Sequence, residues 1–333
     1  MTTRTALVTG ATGYIGGLVV KKLLEDGWNV RTLSRSPEKL KAHDWHDKVE
    51  TIAGDATKSE DVAHAMEGVD VAWYLLHSMG SGEDFAERDA QMAEVFATAA
   101  KTAGVQRLIY LSGLHPDEEL SEHLASRVEV GETLMASGVP TAVLQAAVVL
   151  GNGSISFTML KQLAERLPAG IAPKWINNRI QPIAARDVLY YLVAAADLPS
   201  DVNRTFDIGG PDVLTYAGMM DRYGEALGFR SGPMFTAPVT TPGLAAHWVG
   251  LVTEIDTQMA KPLVGSLLHD TVVLERDIDD YIERPPGGLM SFDDAVREAA
   301  KDLPSNTWVR TALYTAGAVG LLTASVLVRG LRR

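Results

Sequence analysis

Cysteine is absent from this chain of 333 residues, so it can form neither a disulfide nor a thiolate metal site. Positive charge is also scarce, because 30 Lys and Arg residues stand against 42 Asp and Glu residues, for a formal net charge of −12. That balance argues against a nucleic acid partner, since nothing supplies a basic surface. His and carboxylate residues show no metal-ligand spacing, so we expect no metal. No apolar signal sequence opens the chain, which predicts a cytoplasmic body.

Long uncharged runs are rare, and the clearest one is residues 311–328 near the C-terminus. As a helix this run would be about 27 Å long, close to the hydrocarbon thickness of a bilayer. Ala312, Ala316, Gly320 and Ala324 recur every fourth residue and would form one face for close helix packing. We favour a transmembrane helix over 308–330 that attaches the body to the inner face of the cell membrane. The alternative is a helix docked on the body or on a partner subunit.

Three glycines near the N-terminus, Gly10, Gly13 and Gly16, follow a short apolar run at residues 6–8. Apolar residues at helical spacing come next, so the segment predicts a strand, a tight glycine turn and a helix. Missing Cβ atoms let the backbone approach a pyrophosphate, and the helix N-terminus supplies N–H groups to it. We therefore expect a dinucleotide to bind here, rather than a turn that only connects strand to helix. The predicted contacts are Gly10, Thr12, Gly13, Tyr14, Ile15 and Gly16.

Strand and helix patterns then alternate to about residue 150, with strands predicted at 29–33, 50–53, 69–76, 107–112 and 141–150. Repeated β–α units with apolar strands predict an α/β fold, a Rossmann doubly wound parallel sheet. We expect an NAD(P)-binding domain over 1–150 and a smaller C-terminal lobe over 151–305. Within the lobe, segments of 180–228 are expected to return to the Rossmann body, with a strand at 180–184 and a helix capped by Asp187.

The end of the second strand predicts which cofactor is bound. It reads Thr-Leu-Ser34-Arg35-Ser and lacks the carboxylate that binds the ribose of NAD. Arg35, with Arg31 just upstream, suits the phosphate of NADP, so NADP(H) is favoured over NAD(H). Asp55, after the third strand, could bind the adenine amine or could stabilise its own turn. Ser34, Arg35 and Asp55 complete this end of the predicted site.

Several motifs resemble the NmrA-like atypical short-chain dehydrogenase/reductases (SDRs), over roughly residues 4 to 230. They are Gly10-Ala-Thr-Gly13-Tyr-Ile-Gly16, Gly54-Asp55, Leu111-Ser112-Gly113 and Gly138-Val-Pro-Thr-Ala-Val-Leu. Within that group, Tyr74-Leu-Leu-His77-Ser78-Met79-Gly80 is similar to the bacterial YbjT-like branch. The resemblance implies a Rossmann fold and an NAD(P)-dependent oxidoreductase or a non-catalytic relative.

The resemblance also implies where catalysis would lie. Active SDRs use a Ser after the fifth strand and a Tyr-x-x-x-Lys pair on the next helix. Here Ser112 stands at the first position, and His123-x-x-x-Arg127 keeps the spacing of the pair but changes both residue types. Arg127 can bind ribose hydroxyls but cannot release a proton as Lys can. His123 is either a general acid or a surface helix residue without a catalytic role.

A further group of candidates, Leu76, His77 and Ser78, ends the fourth strand, at the sheet edge where ligands bind. We expect them to line the nicotinamide side of the pocket. His77 is a second candidate for catalysis, and His115 is a weaker candidate. Trp175, Met159 and Trp248 are candidates for an apolar substrate wall, although ordinary core packing is the favoured alternative.

Two functions remain open on the sequence alone. The first is an NADP-dependent oxidoreductase acting on a small or lipid-like carbonyl or alkene substrate. The second is a non-catalytic NADP(H)-binding redox sensor or membrane-associated assembly factor, which the replacement of Tyr and Lys favours. The oligomeric state is not predicted.

Overall fold

The computed structural model describes residues 3–77, 85–115, 120–167, 170–229, 234–237 and 242–303. Seven parallel strands form its central sheet in the order β11-β6-β5-β4-β1-β2-β3. They are β1 (Thr5–Thr9), β2 (Asn29–Ser34), β3 (Glu50–Ala53), β4 (Val71–Tyr74), β5 (Arg107–Gly113), β6 (Thr141–Ala146) and β11 (Arg204–Ile208). The order reverses between β1 and β4, which is the switch point where ligands bind in doubly wound folds. The predicted Rossmann sheet is confirmed.

Helices cover both faces of this sheet, which is why the inner strands β1, β4 and β6 are buried along almost their whole length. On one face, α1 and α7 share a core with the sheet around Val19, Leu23, Val188 and Leu192. The helices of the opposite face are α3, α4 and α5. The α-helices up to residue 194 are α1 (Tyr14–Glu25), α2 (Pro37–Leu40), α3 (Ser59–Met66), α4 (Phe85–Ala103), α5 (Glu122–Ala136), α6 (Ile155–Arg166) and α7 (Ala185–Ala194).

A second core lies beyond β6 and is built mainly from helices around Trp175, Phe157 and Tyr216. Its helices are α6, α8 (Tyr216–Ala226), α9 (Pro242–Val252), α10 (Thr257–Ser266) and α11 (Phe292–Ala300). Short strands pair two by two: β7 (Val149–Leu150) with β10 (Ile183–Ala184), β8 (Gly170–Pro173) with β13 (Met234–Ala237), and β9 (Arg179–Ile180) with β12 (Leu214–Thr215). Of the segment 180–228, α7 and β11 pack with the central sheet, whereas α8 packs in this second core.

Three sequence expectations are wrong in detail. The strand expected at 141–150 stops at Ala146, and the chain leaves the sheet before β7 pairs with β10. The strand expected at 180–184 is two separate strands, β9 and β10, with different partners. Asp187 does not cap α7, whose N-cap is Ala184. The fully buried Asp187 carboxylate instead accepts hydrogen bonds from the Met290 N–H and the Arg186 guanidinium, so it ties α7 to the approach to α11.

The membrane prediction concerns residues that lie outside the described ones, since these end at residue 303. Within the described ranges, no helix combines the length and the apolar character that a bilayer crossing needs.

Candidate functional site

The glycine turn lies between the carboxyl end of β1 and the first turn of α1. Gly10 has φ of +69°, and a Cβ there would lie 2.2 Å from the Leu75 carbonyl oxygen. A Cβ on Gly16 would lie 2.2 Å from the Gly10 carbonyl oxygen. The Gly13 N–H donates to that same oxygen at 2.9 Å, which closes the turn. The glycines are therefore required by contacts that leave no room for a side chain.

The N-terminus of α1 is open to a ligand. Its N-cap is Gly13, and no side chain caps the free N–H groups of the first turn. Uncapped N–H groups and the helix dipole favour a phosphate at this position. This cradle fits the pyrophosphate of a dinucleotide, in agreement with the prediction from the motif.

A cavity of about 410 Å³ extends from the glycine turn along the carboxyl ends of β4, β5 and β6. Most of the predicted site residues line it together: Gly10, Gly13, Tyr14, Ile15, Gly16, Leu76, His77, Ser112, His123 and Arg127. Thr12, Ser34, Arg35 and Asp55 are not among its lining residues, and Thr12 is exposed beside the turn. Ser78 lies outside the described residues. The tertiary structure thus joins the glycine turn to the predicted catalytic residues in one cleft.

The residues after β2 and β3 form a separate, more open surface. Arg31 is engaged, since its guanidinium donates to Glu50 at 2.7 Å and to the carbonyls of Ala65 and Glu67. Arg35 is exposed at the end of β2. Of the two arginines considered for a ribose phosphate, Arg35 is therefore the accessible one.

Asp55 stabilises its own turn, which is one of its two predicted roles. Its Oδ1 accepts hydrogen bonds from the Thr57 N–H at 3.0 Å and from the Thr57 hydroxyl at 2.9 Å. The first of these bonds is the main cause of a lowered pKa for the Asp55 carboxyl, and the positive charge of Arg35 adds to it. One carboxylate oxygen is therefore committed to the turn.

Arg127 holds α5 against the end of β5. Its Nη2 donates to the Leu111 carbonyl at 2.6 Å, and the Ser112 hydroxyl donates to the Arg127 carbonyl at 3.5 Å. The Arg127 Nε is buried and has no hydrogen-bonding partner among the described residues, so one donor at the cavity wall is unused. A donor of this kind fits a ribose hydroxyl.

Two histidines flank Arg127 in the cavity. Desolvation by the surrounding atoms, with the charge of Arg127 as the second cause, lowers the pKa of His77 to about 3. The same two causes, in the same order, lower the pKa of His123 to about 4. His77 nevertheless keeps an exposed surface and is one of the residues that line the cavity. Both imidazoles are therefore neutral at neutral pH, and each has one N–H to donate.

Tyr110 is a neighbour of this cluster that the sequence analysis missed. It lies two residues before Ser112, on the same face of β5. Burial raises the pKa of its phenol, while side-chain hydrogen bonds with Ser112 and Arg127 lower it. Alternation along β5 could have identified it, because period-two spacing places Tyr110 beside Ser112.

The other end of the cavity is apolar and comes from distant parts of the chain. Val148, Ile155, Met259, Leu263 and Leu267 line it. The sequence analysis assigned no site residue in α10. The substrate wall considered for Trp175, Met159 and Trp248 is instead core packing: Trp175 and Met159 are 2% and 1% exposed, and Trp248 stacks edge-on against Trp175. None of these three is among the described residues that line the cavity.

Comparison with known proteins gives matches along the N-terminal half and over the fold. Residues 10–163 match a family described as NAD(P)H-binding. A ceramide reductase of Caulobacter vibrioides is 29% identical over 212 residues, 59% of this chain and 64% of that protein. A 3-beta-hydroxysteroid dehydrogenase of Mycolicibacterium neoaurum is 36% identical over 114 residues, 31% of this chain. The chain therefore spans 30% of the length of the dehydrogenase and 64% of the length of the reductase.

A solved structure shares the fold across most of the chain. The triphenylmethane reductase of a Citrobacter species, complexed with NADP(H), superposes with a TM-score of 0.65 at 18% identity. The match covers 89% of this chain and 99% of that one. At that identity the likeness concerns the fold. Together with the family match over residues 10–163 and the glycine cradle, it shows that this chain carries an NAD(P)H-binding Rossmann domain, and it supports the resemblance to the NmrA-like atypical SDRs.

Proposed function

We propose that this protein is an NADP(H)-dependent oxidoreductase that reduces the carbonyl or activated alkene of an apolar, lipid-like substrate. One observation carries the proposal: a single cavity joins the glycine cradle, the Ser112–His123–Arg127 group and an apolar wall. A cofactor laid from the cradle toward Ser112 would therefore end beside a space lined by aliphatic side chains. Relatives named for a ceramide and for a steroid support a lipid-like substrate.

The choice of NADP(H) rests on Arg35. It is exposed at the end of β2, while Arg31 is engaged with Glu50. The end of β2 offers Ser34 and Arg35 where an NAD-specific protein would offer a carboxylate. A guanidinium binds a ribose phosphate through charge-assisted hydrogen bonds, whereas nothing there would favour the free hydroxyls of NAD.

Different residues of this chain would orient the substrate oxygen, donate a proton to it and hold the cofactor ribose. A bound nicotinamide supplies the hydride for the carbon. Ser112 exchanges its long bond with the Arg127 carbonyl for the substrate oxygen and orients it. The neutral His123 donates its N–H to that oxygen and passes this proton to the alkoxide as it forms. A proton from bulk solvent replaces it on the other ring nitrogen, so solvent is the net proton source. Arg127 holds the ribose side, and its charge adds to the burial that lowers the pKa of the His123 imidazole and keeps it neutral.

The experiment that tests cofactor choice uses the full-length protein and titrations of NADPH and NADH followed by cofactor fluorescence. Arg35→Glu should weaken NADPH about 10- to 100-fold, because a phosphate contact is lost and a repulsion is added. NADH binding should change less than about 3-fold. Lys39→Glu, at an exposed cation on α2, is the matched control and should leave the preference intact. Equal NADPH and NADH affinities in the wild type, unchanged by Arg35→Glu, would exclude the NADP assignment.

Turnover is tested by following NADPH oxidation with methyl nonyl ketone, cyclohexenone and benzalacetone. Oxidation by a ketone or an enone supports the reductase. A second candidate function, a non-catalytic NADP(H)-binding redox sensor, is favoured by the His123 and Arg127 replacements and by the buried Ser112 hydroxyl. Stoichiometric NADPH binding without oxidation by any of these probes would favour that sensor.

A further inference from the structure

Unsatisfied polar groups mark two places in the cavity. Six buried side-chain atoms have no hydrogen-bonding partner among the described residues. Two of the six, the Arg127 Nε and the Thr271 Oγ1, belong to residues that line the cavity. Buried polar groups in native proteins are nearly always paired, so an unpaired one at a cavity wall points to a ligand. The proposed function places Arg127 at the cofactor ribose, but it assigns no role to Thr271.

Thr271 is held firmly by its backbone. Its N–H donates to the Arg179 carbonyl at 2.8 Å, and its carbonyl accepts from the Gln181 N–H at 2.9 Å. The residue is 3% exposed. Its main-chain polar groups are thus satisfied, and the hydroxyl is the polar group that still lacks a partner. A rigid backbone with an unpaired hydroxyl is how a ligand contact is preorganised.

The segment around Thr271 lies at the end of the cavity remote from the glycine turn. The Leu274 N–H donates to the Asp207 carboxylate at 2.9 Å, which fixes this segment to β11. The Val273 N–H donates to Gln181 at 3.1 Å. Strand β11 is at one edge of the sheet, and β6, β5 and β4 separate it from β1, where the glycine turn begins. A dinucleotide cradled at β1 therefore approaches from the opposite side.

The surroundings of Thr271 determine what kind of group it can bind. The neighbouring wall carries mainly aliphatic side chains, from Val148 to Leu267, together with the uncharged Ser154, Ser156 and Ser266. Among the lining residues that the structure describes, the basic ones are His77, His123 and Arg127, all at the cofactor end, and none is an Asp or a Glu. A charged ligand group beside Thr271 would be desolvated without a counter-charge, which is strongly unfavourable. The hydroxyl therefore suits a neutral oxygen.

From this arrangement we propose that Thr271 is a substrate-binding residue. Its hydroxyl pairs with a neutral oxygen at the far end of an elongated apolar substrate whose reacting carbon lies beside Ser112 and His123. This inference rests on the proposed function, because it takes the remote end of the cavity as the substrate site. It narrows the substrate class to apolar molecules with oxygen at both ends.

The test measures equilibrium binding, so that it does not depend on turnover. The full-length protein, saturated with NADP⁺, is titrated calorimetrically with methyl ketones of six to twelve carbons and with their ω-hydroxy derivatives. Thr271→Val should raise the Kd of the best hydroxy ketone roughly 5- to 10-fold and leave that of the parent ketone nearly unchanged. Thr271→Ser keeps the hydroxyl and should restore binding. Thr253→Val, at a buried threonine directly after α9 whose hydroxyl already donates to the Val249 carbonyl, is the control.

Stability gives a second readout. Valine matches threonine in shape, and the hydroxyl it replaces is unpaired, so Thr271→Val should keep or raise the melting temperature while it weakens binding. An equal Kd for the hydroxy ketones in wild type and Thr271→Val overturns the inference, as does a series in which no ketone binds. The hydroxyl-dependent pattern without any NADPH oxidation would remove the reductase proposal and leave Thr271 as a ligand contact.

Discussion

The two ends of the cavity are built in different ways. At the cofactor end the backbone makes the site, since glycines leave space and free N–H groups, and the contributing residues 10–16 are continuous in the chain. At the substrate end side chains make the site, and they come from three separate stretches around residues 148–155, 259–267 and 271. A site made by the backbone tolerates little change, whereas a site made by aliphatic side chains can be reshaped. Proteins of this fold can therefore keep the same cofactor while they differ in their substrates.

The largest effect is expected at the cofactor end. Gly16→Ala places a Cβ about where the Gly10 carbonyl oxygen lies, 2.2 Å away. The turn must shift, so NADPH binding should weaken at least about 100-fold, or roughly 3 kcal/mol. Overpacking should also lower the free energy of unfolding by about 1–3 kcal/mol. Cofactor fluorescence and thermal melting measure the two effects.

The matched control for that change is Gly243→Ala on α9, where an added Cβ meets no atom within 4 Å. It should leave NADPH binding intact and stabilise the helix by about 0.5–1 kcal/mol. A folded Gly16→Ala protein with wild-type NADPH affinity would show that the pyrophosphate lies elsewhere.

An intermediate effect is expected at the substrate end. Leu263→Ser removes half-buried apolar surface from α10 and places a hydroxyl in the aliphatic wall. The KM for methyl nonyl ketone should rise about 10-fold, which matches the roughly 1.5 kcal/mol of a leucine side chain. The NADPH Kd should stay the same, because the glycine turn is untouched. Leu251→Ser, on α9 at a residue that is 86% exposed, should change neither constant. If Leu263→Ser weakened NADPH and ketone equally, the two ends would not be separate sites.

The smallest expected effect is on the pH dependence of stability. It concerns His123, at the junction between the cofactor end and the substrate end of the cavity. The pKa of His123 is about 4 in the folded chain and near 6.5 in the unfolded chain. The unfolded chain therefore binds the proton first as pH falls, so this contribution to stability is complete above pH 6.5. It is lost on acidification from about pH 6.5 to 4, by about 1 kcal/mol after allowance for partial exposure.

Thermal melting across this pH range measures the effect in wild type and in His123→Gln. The variant should lose less stability on acidification, because its side chain does not titrate. His64→Gln, at an exposed site on α3, is the control. Identical slopes in wild type and His123→Gln would show that His123 is not held neutral by its surroundings.

Local patterns predicted some of these features well and others poorly. Gly10, Gly13 and Gly16 could be interpreted because their role is steric and involves neighbours in sequence. Asp55 had two interpretations, and the hydrogen bonds from Thr57 decide for the local turn. Asp187 looked like a helix cap, but its carboxylate bonds to the N–H of Met290, far along the chain. Spacing alone does not reveal a partner at such a separation.

The sequence by itself determined the parallel sheet, the glycine cradle and the group of Ser112, His123 and Arg127. The sheet and the cradle follow from periodicity and from contacts within short stretches, because backbone sterics and strand alternation act locally. The group of Ser112, His123 and Arg127 is what the resemblance to the SDRs implied. The tertiary structure alone decided that the two histidines are neutral, that Arg31 is engaged, and that α10 and Thr271 face the cofactor end across an apolar cavity. Those properties depend on burial and on contacts between residues far apart in the chain, and desolvation arises only when the second lobe packs against the sheet.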